Sequence, residues 1–207
     1  MKKKTILLLL CALMTAAASC ACAKTLTPMP AHLNPDAVAN RAVYVRLREI
    51  DWRAETVTVA LCEAEVFARE DALALQPGDS LLAGGEDLAV SAVDVQLPAI
   101  FIDAGGDELT LWENADGDFE CMQYERKVFA VAGERTFELS DDLVFLDGID
   151  PSTGEALALP TAHTLRELKA MLKDAQGDPG FAADNAYMVF DGEQEAVVLA
   201  RFYVPWQ

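Results

Sequence analysis

The chain has 207 residues, 52% of them hydrophobic, with 34 acidic against 16 basic side chains and a net charge of −18. That is apolar enough to bury a real core and too apolar for a disordered chain. A surface this acidic repels phosphate backbones and anionic headgroups, which excludes nucleic-acid binding and peripheral docking on anionic lipid.

Lys2, Lys3 and Lys4 precede an apolar run from Ile6 to Met14 and a small-residue stretch that ends at Ala23. A basic start, a short apolar middle and a small-residue exit make residues 1–23 a secretory signal, which puts the rest outside the cytoplasmic membrane. Its loss would remove three lysines and take the net charge to −21. The uncharged stretch from Thr5 to Ala23 also approaches the ~20 residues of a membrane span, so an uncleaved anchor stays open. Ala17-Ala18-Ser19-Cys20 resembles the lipobox of bacterial lipoproteins, with small residues before Cys20 and Ala17 where that family usually has Leu. In leader and organisation the chain resembles secreted lipoproteins of bacteria. That resemblance implies acylation of Cys20 and a lipid anchor on the outer side of the membrane, and it carries no activity with it. Ala21-Cys22-Ala23 is an A-x-A site, and cleavage there would release a soluble protein beginning at Lys24.

Residues 24–40 contain three prolines and no strong periodicity, which reads as a tether, with a single β-rich domain over 41–207. Val43, Val45 and Leu47 alternate with polar residues, the period-2 mark of a half-buried strand. A turn at Asp51–Ala54 and a second strand from Thr56 to about Val66 complete a hairpin. One or two helical turns over Arg69–Leu75 end at Pro77-Gly78, and strands at Ser80–Ala83 and Leu88–Val95 flank Gly84-Gly85. Apolar runs at 99–102, 108–113, 119–124, 127–132, 136–139 and 143–146 follow at the spacing of an all-β sandwich or barrel. Thr164-Leu165-Arg166-Glu167 is a capping box that starts one α-helix over about 164–175, with Gly177 as its stop. Two last strands cover Ala186–Phe190 and Ala196–Val204, with Val198, Ala200, Phe202, Val204 and Trp206 on one buried face. The fold predicted is mainly β, a barrel-like or sandwich core of antiparallel strands with one late helix. A break near 147–160 into two pieces is the alternative.

Candidate chemistry is sparse. Asn114, Asp116, Asp118 and Glu125 fall on the oxygen-ligand positions of a calcium loop, but Phe119 stands where that loop needs Gly and both flanks read as strands. A β-hairpin turning at Asp116-Gly117 accounts for the same residues without metal. Cys62 and Cys121 could form a disulfide in an oxidising compartment, or be two buried small residues. His163 is the one imidazole in the folded part, at the start of the helix, with no nucleophile elbow or zinc spacing around it. Trp112 alternates with Leu109 and Leu111, so if the leucines face the core Trp112 faces out, beside Asn114. There it can stack on a sugar ring or dock a protein. Trp52, in a turn, can be exposed or packed.

These features imply a surface-tethered, non-enzymatic binding or interaction module, with Trp112 and Asn114 as ligand-binding candidates and a protein or carbohydrate as partner. No cofactor is implied. The alternatives are a secreted glycan-acting hydrolase using a carboxylate pair, and a structural lipoprotein of the cell envelope. The mature protein is expected to lack residues 1–19 and to carry lipid on Cys20. Intact mass and partition into detergent check this, and a water-soluble species beginning at Lys24 would refute acylation while keeping export.

Overall fold

The computed structural model of the protein describes residues 23–150, 152–174 and 185–202. The leader with Cys20, the helix stop expected at Gly177, and Val204 and Trp206 lie outside them. The chain is mainly β, as its alternation and evenly spaced turns predict. After a two-residue strand β1 (Thr25–Leu26), β2 (Ala42–Asp51) and β3 (Thr56–Ala64) form the first hairpin. Its turn is held by the Asp51 carboxylate, which accepts the N–H groups of Arg53 and Ala54 at 2.8 and 3.1 Å. The chain then makes β4 (Val66–Phe67), helix α1 (Arg69–Leu73), β5 (Ser80–Ala83), β6 (Glu86–Gln96), β7 (Ala99–Ala104), β8 (Asp107–Glu113), β9 (Phe119–Gln123) and β10 (Arg126–Lys127). It ends with β11 (Phe129–Ile149), β12 (Ala156–Thr164), α2 (Leu165–Asp174), β13 (Ala186–Phe190) and β14 (Ala196–Arg201).

One sheet runs β12-β11-β14-β13-β2-β3, and β3 pairs with β11 in turn, so five strands close into a ring. The 21-residue β11 makes this possible. Phe129–Glu138 of β11 pair with β3, whereas Val144–Asp147 lie between β14 and β12. The ring encloses Val45, Val59, Phe137, Phe145, Phe190 and Leu199. Helix α2 lays Leu168 onto this core through the predicted capping box, with Thr164 N–H donating to Glu167 at 2.7 Å and Glu167 N–H to Thr164 Oγ1 at 3.3 Å. The Thr164 backbone N–H most of all, and then the Thr164 hydroxyl at 2.9 Å, hold the Glu167 carboxyl below its ordinary pKa. The second sheet runs β1-β5-β6-β7-β8-β9-β10, with β4 also on β9, and has its own core around Phe67, Leu81, Ile100, Leu111 and Phe119.

Several expectations are corrected. Residues 24–40 are no free tether: β1 pairs with β5, Leu26 is buried in the second core and Val38 in the first. Pro35 rests against Gly133, where a Cβ would lie 2.7 Å from the proline ring, so only bare backbone admits the strap. The runs at 127–132, 136–139 and 143–146 belong to β10 and one continuous β11, whose register shifts fall at Ala132 and at Ser140–Leu143. The division into two cores falls at Glu65 and Val128, where the second sheet leaves and rejoins the ring, not near 147–160. In β14 Ala200 is buried as expected, but so are Ala196 and Leu199, the latter set beside Phe145 by the register with β11, while Val198 and Phe202 are half-buried.

That register also places Asp147 beside Arg201. Asp147 is 1% exposed, and its two carboxylate oxygens accept Arg201 Nε at 3.0 Å and an Arg201 terminal nitrogen at 2.7 Å. A paired charge in this position is tolerable and a lone one is not. Asp147→Ala is therefore expected to cost about 3–5 kcal/mol in urea unfolding, with part of the loss recovered when Arg201→Met is added. Leu159→Ala on the exposed edge strand should stay within about 0.5 kcal/mol of the parent. Equal unfolding curves for Asp147→Ala and Leu159→Ala would show the pair to be structurally idle.

Candidate functional site

Strand alternation builds a groove on the outer face of the second sheet. Leu109 and Leu111 of β8 point into the core, so Glu108, Thr110 and Trp112 point away from it. The antiparallel registers then line up Phe101, Thr110, Met122 and Lys127 across β7, β8, β9 and β10, and set Glu120 opposite Trp112. The β9–β10 turn, Tyr124-Glu125, closes one end. Together these residues line a concavity of about 720 Å³. Trp112 is 49% exposed, a large value for a ring in a paired strand, and Tyr124, in the turn, is 54% exposed.

The groove is acidic and aromatic. It holds Glu108, Glu120 and Glu125 against Lys127. Lys127 Nζ is already 2.7 Å from Glu120. The Tyr124 hydroxyl donates to Asp107 Oδ1 at 2.7 Å, and the other Asp107 oxygen accepts Gln123 Nε2 at 3.2 Å. Hydrogen bonding to Asp107, and that carboxylate's charge, push the Tyr124 phenol above its ordinary pKa. Glu108 and Glu120 belong to positions four residues apart along the strands, about 13 Å at 3.3 Å per residue. The carboxyl pairs of glycosidases stand roughly 5–9.5 Å apart.

Of the residues singled out in the sequence, Trp112 is in this groove and Asn114 is not. Asn114 sits at the tip of the β8–β9 hairpin, where its Oδ1 accepts the N–H groups of Asp116 and Asp118 at 3.0 and 3.1 Å. Asp118 accepts Arg69 N–H at 3.0 Å, and the Arg69 guanidinium binds Gly117 O at 3.1 Å and Glu113 at 2.8 Å. The hairpin reading of these residues is thus the one realised. Glu125 falls at the far end of β9, roughly 20 Å from the tip, so the four calcium-loop positions do not converge. Among the described residues no group of three or more side chains is placed to hold a metal.

Cys62 and Cys121 are both free and buried, Cys62 against Phe129 and Cys121 in the second core. The possible disulfide is therefore not formed. His163 lies at the end of β12, two residues before α2 begins, stacked on Phe145 at 5.8 Å, away from Cys121's core. Trp52 packs on the ring core with Lys169 Nζ 5.3 Å above its ring. Phe101, Met122 and Tyr124 went unnoticed in the sequence, although Glu120, Met122 and Tyr124 alternate with the inward Cys121. Among the described residues no helix is long and apolar enough to cross a membrane. The sequence matches no family model, and no curated protein or solved structure is significantly similar to it.

Burial, with Glu65 close by, pushes the Cys121 thiol from 9.0 up to about 12, and burial raises Cys62 as well. The Cys121 thiolate at neutral pH is then about a thousandfold scarcer than on a free cysteine. Beyond the leader, both thiols are expected to resist a disulfide-exchange reagent in the native protein and to react together once guanidinium unfolds it. Rapid labelling of the native chain, or a mass two hydrogens short of the dithiol, would contradict this assignment.

Proposed function

We propose that the chain is an exported, non-enzymatic binding module whose ligand rests in the Trp112 groove. The observation that carries this reading is the exposure of Trp112 and Tyr124 over Phe101 and Met122 in one concavity. Exposed rings next to a few carboxylates are the composition of a site that buries an apolar body and orients it by polar contacts. Glu120 does not favour the hydrolase alternative, since it is held by Lys127 and lies four residues along the strands from Glu108. Attachment to the outer membrane face through Cys20 would present such a groove to extracellular ligands.

A fragment screen by saturation-transfer NMR tests the reading. Hits are expected to include aromatic and alkylated small molecules whose signal is lost with Trp112→Ala. That variant should melt within about 0.5 kcal/mol of the parent, because the ring is half-exposed and supports no core. Hits that bind Trp112→Ala and the parent alike would move the binding site elsewhere.

A further inference from the structure

We infer that the Trp112 groove takes a small organic cation, an ammonium carried on an apolar body, an inference that rests on the binding-module reading above. Charge is the first argument. Glu120 is neutralised by Lys127, which leaves Glu108 and Glu125 facing the concavity with no ion pair among the described residues. Asp107, outside the lining, holds the Tyr124 hydroxyl, while Arg46 and Arg126 line the adjoining concavity that shares Tyr124. Within the groove an anion would be repelled, and a neutral sugar could use the carboxylates only as hydrogen-bond acceptors, with no attraction between charges.

The rings supply the second argument. Trp112 and Tyr124 are both exposed and line the same concavity, four residues apart along the strands, and a cation over the face of either ring would be attracted by its quadrupole. Phe101, Thr110 and Met122 form a floor for an apolar body. Size and backbone argue for a small molecule over a peptide. About 720 Å³ is within the range of small-molecule sites. The floor strands β8 and β9 already have ladder partners on both sides, so no main-chain hydrogen bonds are on offer to an added strand. The chain's net charge of −18 would also draw cations toward it.

The test titrates the whole chain with choline and hexyltrimethylammonium, following the Trp112 indole N–H resonance by NMR. The neutral isostere 3,3-dimethylbutan-1-ol and the disaccharide cellobiose serve as comparisons. Both cations are expected to shift Trp112, with choline binding roughly tenfold tighter than its isostere. Glu108→Gln and Glu125→Gln should each weaken choline roughly two- to fivefold, as should a rise in salt. An isostere as tight as choline, or cellobiose shifting Trp112 where the cations do not, would overturn the cation assignment and leave the binding groove standing. Silence of Trp112 toward all four probes would overturn both.

Discussion

Glu65 holds the neck through which the chain leaves its closed ring of strands and comes back to it. Its N–H donates to Val128 O and its C=O accepts Cys121 N–H, both at 2.9 Å, while both carboxylate oxygens lie 3.1 Å from Gly84 N. One residue thus ties the end of β3 to the start of β11, to β9 and to the β5–β6 turn. The carboxyl is only 4% exposed, and burial pushes its pKa up against the single opposing pull of the Gly84 N–H. A raised folded pKa means that this group's stabilising contribution is complete below the ordinary carboxyl range. It is lost as pH rises through the raised value. The neck is therefore a place where connectivity is kept at the expense of solvation. Without it, the 65–128 excursion would be joined to the ring by its two chain links and by the strap over residues 25–38.

From the neck outward, the architecture follows from who pairs with whom. Ala64 and Phe129 are partners, so all of the second sheet except β1 is an excursion out of one antiparallel ladder. The strap over residues 25–38 crosses this division: Leu26 enters one core and Val38 the other, with Met29 N–H on Val66 O at 2.7 Å between them. Its hold depends on isolated buried residues and on Gly133 beneath Pro35, helped by an ion pair between Arg135 and Asp36.

The mainly β class, the two hairpins at 42–64 and 186–201 and the capped helix were legible because each has a local signal. Period-2 alternation marks the strands, and Thr164 three residues before Glu167 marks the cap. What was illegible lacked such a signal. The strap has no period, since its contacts are single residues. Strand β12 is exposed along nearly its whole length and carries Pro160, which an edge strand tolerates on its free side. Ala132-Gly133 and Ser140–Asp142 look like turns, but the chain passes through them as strand, with register shifts at Ala132 and within 140–143, which no short window can foresee. In β14 every residue from Ala196 to Ala200 is apolar, so alternation could not choose a face, and the pairing of Leu199 with Phe145 chose it. Trp112 was legible as outward because two leucines on the same strand were so clearly inward. Its neighbours in the groove come from three other strands, and only the registers bring them together.

The β9–β10 turn is where local preference and groove geometry disagree. Tyr124 and Glu125 both have left-handed backbones, with φ of 50° and 63°. A two-residue turn of this kind favours Asn-Gly, because side chains with a Cβ resist positive φ. Each such residue stores on the order of 1–3 kcal/mol, held in place by its surroundings. Part of that hold is visible: Asp107 clamps the Tyr124 hydroxyl, and the short β10 pairs Lys127 with Met122. Stability alone would be better served by Asn-Gly at the same two positions, which would leave the sheet intact and strip the groove of its second ring and of one unpaired carboxylate. Strained residues retained at the rim of a concavity, and contributing the two chemical features that distinguish it, are what a ligand-binding face is expected to keep. The turn thus supports the groove's assignment independently of Trp112.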